Sequence, residues 1–366
     1  MKQFYKKSIV LSALTLLCFS TNAFSQLDLP RGSQMAKVSQ RIGITDVTIV
    51  YSRPSVKERE IWGQLVPYGM NNLGFGTAKE SPWRAGANEN TVITFTDDVK
   101  IEGKDLEAGK YGMHMVVEEN DMATIIFSKD YEVWGSYFYE PSHDALRVDV
   151  NTKQIEHAEQ LTFVFDKVDT TSAIAALEWG KKQIPFKIEV DVTDIVLADI
   201  RKKLQDSPGF NRQTWEQAST YAMNNGGDLD EALGWINNAI HGQFYSQKNF
   251  NNMAIKSQIL YKMGKKDEAL AMVDEMGEMA NTNELNNLGY QLLNMGEHDK
   301  ALKYFKLNVK NNPKDANVYD SLGEAYKVRG DKKNAVKHLK KSLSLNPPAN
   351  VKANSEKLLK ELGEDF

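Results

Sequence analysis

The chain has 366 residues, more than one ordinary hydrophobic core encloses and enough for two domains. Its 41% apolar and 26% charged content is that of a folded globular protein. A net charge of −4 excludes the bulk basic attraction on which nucleic-acid binders rely, so no nucleic-acid partner is expected.

Taken in chain order, the first element is a leader. Lys2, Lys6 and Lys7 precede the apolar run "IVLSALTLLCF", and "STNAFSQ" follows with Ala23 and Ser25 at cleavage-site spacing. A charged start, a short apolar stretch and small residues predict a secretory signal peptide over residues 1–25, with native protein beginning at Gln26 in the periplasm, at the cell surface or secreted. The run is too short to span a bilayer comfortably, and the mature chain is expected to have no transmembrane span. Cys18 is the only cysteine. Lipid attachment there is disfavoured by the bulky Leu17 before it, and with the leader gone no disulfide, thiolate metal site or cysteine nucleophile remains.

The mature chain splits by period. Across 26–192, runs such as "DVTIVY", "TVITFT", "KYGMHMVV", "ATIIFS", "LTFVFDKV" and "FKIEVDV" are short, β-branched and aromatic. Turn signals separate them, at 102–105, 107–110 and 118–121. Strands in series predict an all-β antiparallel sandwich or jelly-roll-like barrel. Residues 193–212 read as a linker helix and turn, capped by Thr193 or Asp194 and broken at "SPGF". Everything beyond is helix-length: about four helix pairs over 213–347, then an amphipathic capping helix over 348–366.

The helical half repeats. Leu288 and Gly289 align with Leu322 and Gly323, Gly296 with Gly330, Ala301 with Ala335, Phe305 with Leu339 and Pro313 with Pro347, each 34 residues apart. Weaker units centre on Ala232 and Ala269, spaced 37 from each other and 32 from the next. This pattern resembles the tetratricopeptide repeat and implies an all-α solenoid. Gly289 and Gly323 are expected where paired helices cross with no room for a Cβ, and the prolines where second helices end.

The β half has its own motifs, Tyr51-Ser52-Arg53-Pro54 and Trp83-Arg84-Ala85-Gly86-Ala87-Asn88-Glu89. With "VWGSYFY" and "DALRVDV" they resemble a family of secreted β domains known as domain of unknown function 2911, over about Val38–Val192. Members often carry helical repeats after the β domain. The resemblance implies the domain's limits and no activity.

The candidate chemistry lies in "SPWRAGANEN" (81–90) and "YSRPSVKEREIWG" (51–63), which supply Arg53, Arg59, Trp62, Trp83, Arg84, Asn88, Glu89 and Asn90. Aromatic faces, guanidinium forks and amides suit a sugar, a carboxylate or a peptide end. The competing expectation is an irregular corner stitched by its own side chains, with Arg53, Arg84 and Asn88 bonded to backbone carbonyls. None of the six histidines has a metal-ligand spacing, so neither metal nor cofactor is expected. A catalytic centre would have to bring Glu89 to His114 or His143. "GMNNLGFG" (69–76) lacks the context and lysine of a phosphate loop and reads as a flexible lid.

Charge is uneven along the repeats. Residues 213–299 hold 5 Lys+Arg and 12 Asp+Glu, whereas 300–360 hold 15 and 5. Solvated lysine faces explain this; so does a basic end that docks an acidic partner, another copy head to tail, or an anionic surface. The reading favoured by the sequence is an exported two-module binding protein rather than an enzyme. The repeat groove would take a protein or peptide partner, and the β domain a small polar ligand. The alternatives are a β-domain hydrolase or isomerase with the repeats as recruiting arm, and a carbohydrate-binding module using Trp62, Trp83 and Trp134.

Overall fold

The computed structural model describes residues 29–365; the expected leader lies outside them. Two compact units meet at Val190 and Asp191.

In the first unit every pairing between strands is antiparallel. Its strands are β1 (Gln34–Ile42), β2 (Thr45–Arg53), β3 (Thr91–Phe95), β4 (Val99–Ile101), β5 (Lys104–Leu106), β6 (Gly109–Val117), β7 (Met122–Ser128), β8 (Asp144–Asn151), β9 (Lys153–Val168) and β10 (Ser172–Glu189). One sheet runs β1-β2-β3-β6-β7-β8 and the other β5-β4-β10-β9. In the first sheet chain order is broken only between β3 and β6, where the β4–β5 hairpin leaves for the second sheet and β4 pairs with β10. Neither sheet closes on itself, so an open sandwich forms and a barrel does not.

Alternation sets the faces. Val47, Ile49 and Tyr51 of β2 are buried while Asp46, Thr48 and Val50 are less so. The inner faces meet through Tyr51 against Phe163 at 4.9 Å and Phe127 against Phe186 at 6.1 Å. β6 departs from alternation, because Tyr111 to Val117 are all buried. A second small core covers its outer side, where Val116, Ile126 and Tyr139 pack with Met70 and Ala78.

The second unit has ten α-helices among the described residues: α1 (Val192–Leu204), α2 (Arg212–Asn224), α3 (Leu229–His241), α4 (Phe250–Lys262), α5 (Lys266–Met279), α6 (Thr282–Asn294), α7 (His298–Asn311), α8 (Ala316–Val328), α9 (Lys332–Ser344) and α10 (Ala349–Glu361). The side chain that caps α1 is Asp191, accepting from the Asp194 amide at 3.2 Å, rather than Thr193 or Asp194. Leu197 and Leu204 of α1 are buried in the same core as Ala218 and Trp235, so this helix is packed into the repeats.

Four pairs follow, α2/α3 to α8/α9, and Ala232, Ala269, Ala301 and Ala335 are each fully buried at equivalent places. The uneven spacing of these alanines has a plain cause: eight residues separate α3 from α4, but only two separate α5 from α6. An added Cβ would lie 2.4 Å from the Phe305 ring at Gly289 and 2.7 Å from Leu339 Cγ at Gly323, as the sequence implied. Within a pair the turn is made by a left-handed glycine, as at Gly330 (φ +83), where the Asp331 amide reaches back to Tyr326 O at 2.9 Å. Part of the charge imbalance is settled internally, since Lys300 and Lys303 pair with Asp274, and Arg329 with Asp299.

Candidate functional site

The stretch from Ser81 to Asn90 is held to the outer edge of β6. Trp83 exchanges two backbone hydrogen bonds with Met115, at 2.8 and 2.7 Å, beyond the point where β3 stops pairing. The loop then turns through left-handed Ala85 (φ 52) and Asn88 (φ 60). Gly86 fits where a Cβ would stand 2.8 Å from Thr91 Oγ1. Its polar side chains are spent largely on backbone. Arg84 Nη1 donates to Asn88 O at 2.7 Å, Asn88 Nδ2 to Ser33 O at 2.9 Å, and Asn90 Nδ2 to Asp130 O at 3.0 Å. The Arg84 guanidinium also lies over the Tyr137 ring at 5.1 Å and occupies the space a Cβ on Gly135 would need.

Arg53 does similar work between the sheets, donating from Nε to Leu161 O at 3.0 Å and from Nη2 to Thr162 Oγ1 at 2.6 Å. Pro54 follows it at the point where the chain leaves β2, and its carbonyl accepts from the Leu161 amide of β9 at 2.9 Å. Arg59 donates to Val56 O at 3.0 Å and Ser55 O at 2.5 Å. Trp62 donates from its indole to Trp179 O at 3.3 Å.

A cleft of about 420 Å³ nevertheless opens beside this corner. Arg59, Trp83, Arg84 and Asn88 line it, so four of the eight ligand candidates are brought together. Trp62 joins them through ring contacts with Trp83 and Trp179. Arg53, Glu89 and Asn90 stand apart. Trp179, which also lines the cleft, carries no sequence signal; Gly180 after it (φ +58) marks the irregularity in β10 pairing that re-aims the strand there. Trp134 is 48% exposed, with Arg31 over its ring at 5.8 Å.

The acid–base candidates have separate partners. Glu89 pairs with Arg31. Burial works to raise its carboxyl, and the Arg31 hydrogen bond and charge outweigh this and leave it below the ordinary value. His114 is 1% exposed, shares a 2.9 Å hydrogen bond between Nδ1 and Ser136 Oγ, and is lowered to about 4 by desolvation, then by the Arg84 charge. His143 is exposed and raised by its 2.7 Å hydrogen bond to Asp130 and the charge of that carboxylate. Among the described residues no hydrogen bond joins Glu89 to either histidine, and no cluster of three or more His, Cys, Asp or Glu is arranged to hold a metal.

The helical unit offers a second site, which the sequence reading located only as a groove. Along α2, α4 and α6, two adjoining hollows of about 790 and 540 Å³ are lined by amides. Gln217 and Asn224, Asn251 and Gln258, and Asn287 and Asn294 form three pairs, each seven residues apart on its helix. Seven residues are two turns, so each pair shares one face about 10 Å apart. The pairs recur at 34 and then 36 residues, the repeat period itself. The signal was available in the sequence as amides at i and i+7, but it lies on polar positions, five exposed and Gln258 half-buried, that apolar periodicity ignores. On α8 the equivalent places hold Ser321 and Val328, so the ladder ends there.

All of these amides except Asn251, which donates to Glu216 Oε2 at 3.1 Å, lack a side-chain partner among the described residues. The charged groups in the two hollows are Glu216 and Lys262, and both are already engaged. Glu216 accepts from Asn251 and Asn252, each at 3.1 Å, and Lys262 Nζ donates to Met223 O at 3.0 Å.

Comparison with known proteins adds the family relations. Residues 33–188 match the model of a family described as protein of unknown function (DUF2911), and residues 316–348 match the tetratricopeptide repeat. Cellulose synthase operon protein C of Escherichia coli (strain K12) is 36% identical over 72 residues, 20% of this chain and 6% of that protein. Tetratricopeptide repeat protein 37 of Xenopus laevis is 32% identical over 90 residues, 24% of this chain and 6% of that protein. The chain therefore spans only 6% of the length of these curated relatives. Among solved structures, MamA has a TM-score of 0.31 at 22% identity, covering 42% of this chain and 89% of its own. YrrB, described as a TPR protein with an unusual peptide-binding site, has a TM-score of 0.30 at 19% identity, covering 45% of this chain and 84% of its own. With sandwich, repeat period and family matches in agreement, the chain carries a DUF2911 β domain followed by tetratricopeptide repeats.

Proposed function

We propose that the protein is an interaction module whose repeat groove binds an extended stretch of polypeptide through that peptide's backbone. The amide ladder carries this reading. A carboxamide offers one acceptor and two donors, the complement of a peptide group's N–H and C=O, and it does so without charge. Six such groups along the first helices of three successive pairs suit a chain that runs across the helices and presents backbone groups at regular intervals. Tyr290, beside Asn287 and Gln291, adds an aromatic wall for a side chain of the bound segment. The charged groups in the hollows are already satisfied, so recognition is by hydrogen bonding and shape, and the partner's net charge matters little.

The test uses peptides selected from a random library for binding to the full chain. Replacing Asn224, Gln258 and Asn287 together by alanine removes three unpartnered amides and breaks no internal hydrogen bond. The triple variant is expected to bind the selected peptides roughly a hundredfold more weakly, at about 1 kcal/mol for each of the three lost hydrogen bonds. Raising salt from about 0.05 to 0.5 M is expected to change affinity less than about threefold, because no free ion pair is screened. Unchanged affinity in the variant, or a collapse with salt, overturns the amide reading.

A further inference from the structure

The cleft in the β domain has a composition that its internal hydrogen bonding leaves unexplained. Three indoles converge there: Trp83 is stacked on Trp179 at 6.0 Å, and Trp62 meets them edge-on at 5.7 and 6.2 Å. Trp62 has an acceptor for its N–H, but Trp179 has none. Trp179 is 1% exposed, and its Nε1 is without a hydrogen-bond partner among the described residues. A buried donor left unmade costs on the order of 1–3 kcal/mol, and a core position ordinarily selects phenylalanine instead. An indole kept there under that penalty points to an acceptor that arrives from outside the chain.

The charge at the cleft points the same way. Arg59 and Arg84 both line it, and no Asp or Glu does. Each guanidinium is braced rather than consumed. Arg59 spends Nε and one Nη2 hydrogen on Val56 O and Ser55 O, leaving Nη1. Arg84 spends Nη1 on Asn88 O and is fixed from behind by the Tyr137 ring and Gly135, leaving Nε and Nη2. Forks held in place by backbone carbonyls meet an anion with little further ordering cost. Leu65, Val66, Leu73 and Pro82 give the wall an apolar part, beside the uncharged polar side chains of Asn71 and Ser81. A volume of about 420 Å³ is within the range of small-molecule sites.

We propose that this cleft binds a small apolar carboxylate: an acid with an aromatic or branched body against Trp83, its carboxylate on Arg59 and Arg84, and a further acceptor taking the Trp179 N–H. This is independent of the groove. It also separates the cleft from a sugar site, which has no use for two unopposed guanidinium groups.

The experiment is calorimetric titration of the full chain with N-acetylphenylalanine, its uncharged amide, and methyl glucoside. The acid is expected to bind saturably, with the amide at least about tenfold weaker and the glucoside silent. Trp179→Phe keeps an aromatic ring, though a smaller one, and removes the donor, and is expected to weaken the acid about fivefold to tenfold. Arg59→Gln removes one fork from an exposed side chain and is expected to weaken it about tenfold, leaving the amide unchanged. Should Trp179→Phe fail to fold, Arg59→Gln decides alone. Acid and amide binding equally, no saturable binding of the acid up to about 10 mM, or wild-type affinity in Arg59→Gln overturns the proposal, as does preferential binding of the glucoside.

Discussion

Phe305→Ala is expected to destabilise the helical half by about 3–5 kcal/mol, the range for emptying a buried aromatic site. The ring is fully buried on α7, lies edge-on to Tyr290 at 5.2 Å, and fills the notch that Gly289 leaves on α6. The notch and the ring are one device, so their substitutions should not add. Gly289→Ala alone is expected to cost about 1–3 kcal/mol, because its Cβ must displace a ring at 2.4 Å that has nowhere to go. In the Phe305→Ala background the same change meets a cavity and is expected to be neutral or to stabilise by up to about 1 kcal/mol, the helix-propensity gain of alanine over glycine. Urea unfolding followed by helical circular dichroism measures all three. Additive effects would mean that the two residues do not meet.

Acidification supplies the second large effect, in the β domain. His114 takes up a proton at about 6.5 when unfolded and only at about 4 when folded, because charging it in the layer over β6 costs desolvation. Between those values the unfolded chain binds more protons, so stability is complete above about 6.5, falls as pH drops, and levels off below about 4. From pH 7 to pH 5 the loss is about 2 kcal/mol. The His143–Asp130 pair has the opposite sign, its raised folded value adding stability as pH falls, but it is exposed and the buried ring dominates. His114→Gln is expected to be less stable than wild type at pH 7 and to lose the acid sensitivity of this window. Urea midpoints read by near-ultraviolet dichroism of the tryptophan cluster at the two pH values check it. An acid slope that persists unchanged in the variant would assign the effect to another group.

The architecture was legible wherever it rests on local periodicity. Gly289, Gly323 and the four alanines repeat because each helix pair must cross at the same depth, and that requirement is written at fixed spacing. The strands of the β half were legible because inner and outer faces alternate. What was not legible depends on partners distant in sequence. Trp179 joins Trp62 and Trp83 across about 100 residues, through an irregular strand that no pattern announces. Gly277 resembles any helical glycine, yet its missing Cβ accommodates the Tyr304 ring, which would lie 2.2 Å away. His114 read as one polar residue in a strand, and its burial depends on residues 136–139 folding over the outer face of β6. The motif residues Arg53, Arg84 and Asn88 were found by composition. Composition does not say that most of their bonds go to the backbone, nor that a cleft opens beside them. The amide ladder is not legible in the sequence because polar surface residues are ordinarily free to vary, and its order appears only when the helices are stacked.

The claim on which the functional reading depends is that the bound segment lies along α2, α4 and α6 rather than on the exposed lysines of α9. The direct measurement is site-specific photocrosslinking in the full chain, with the photoreactive residue placed in turn at Gln258 in the groove and at Lys337 on α9, using the library-selected peptides. Gln258 is expected to crosslink to peptide backbone, and Lys337 is not. Crosslinking from Lys337 with none from Gln258 would contradict it.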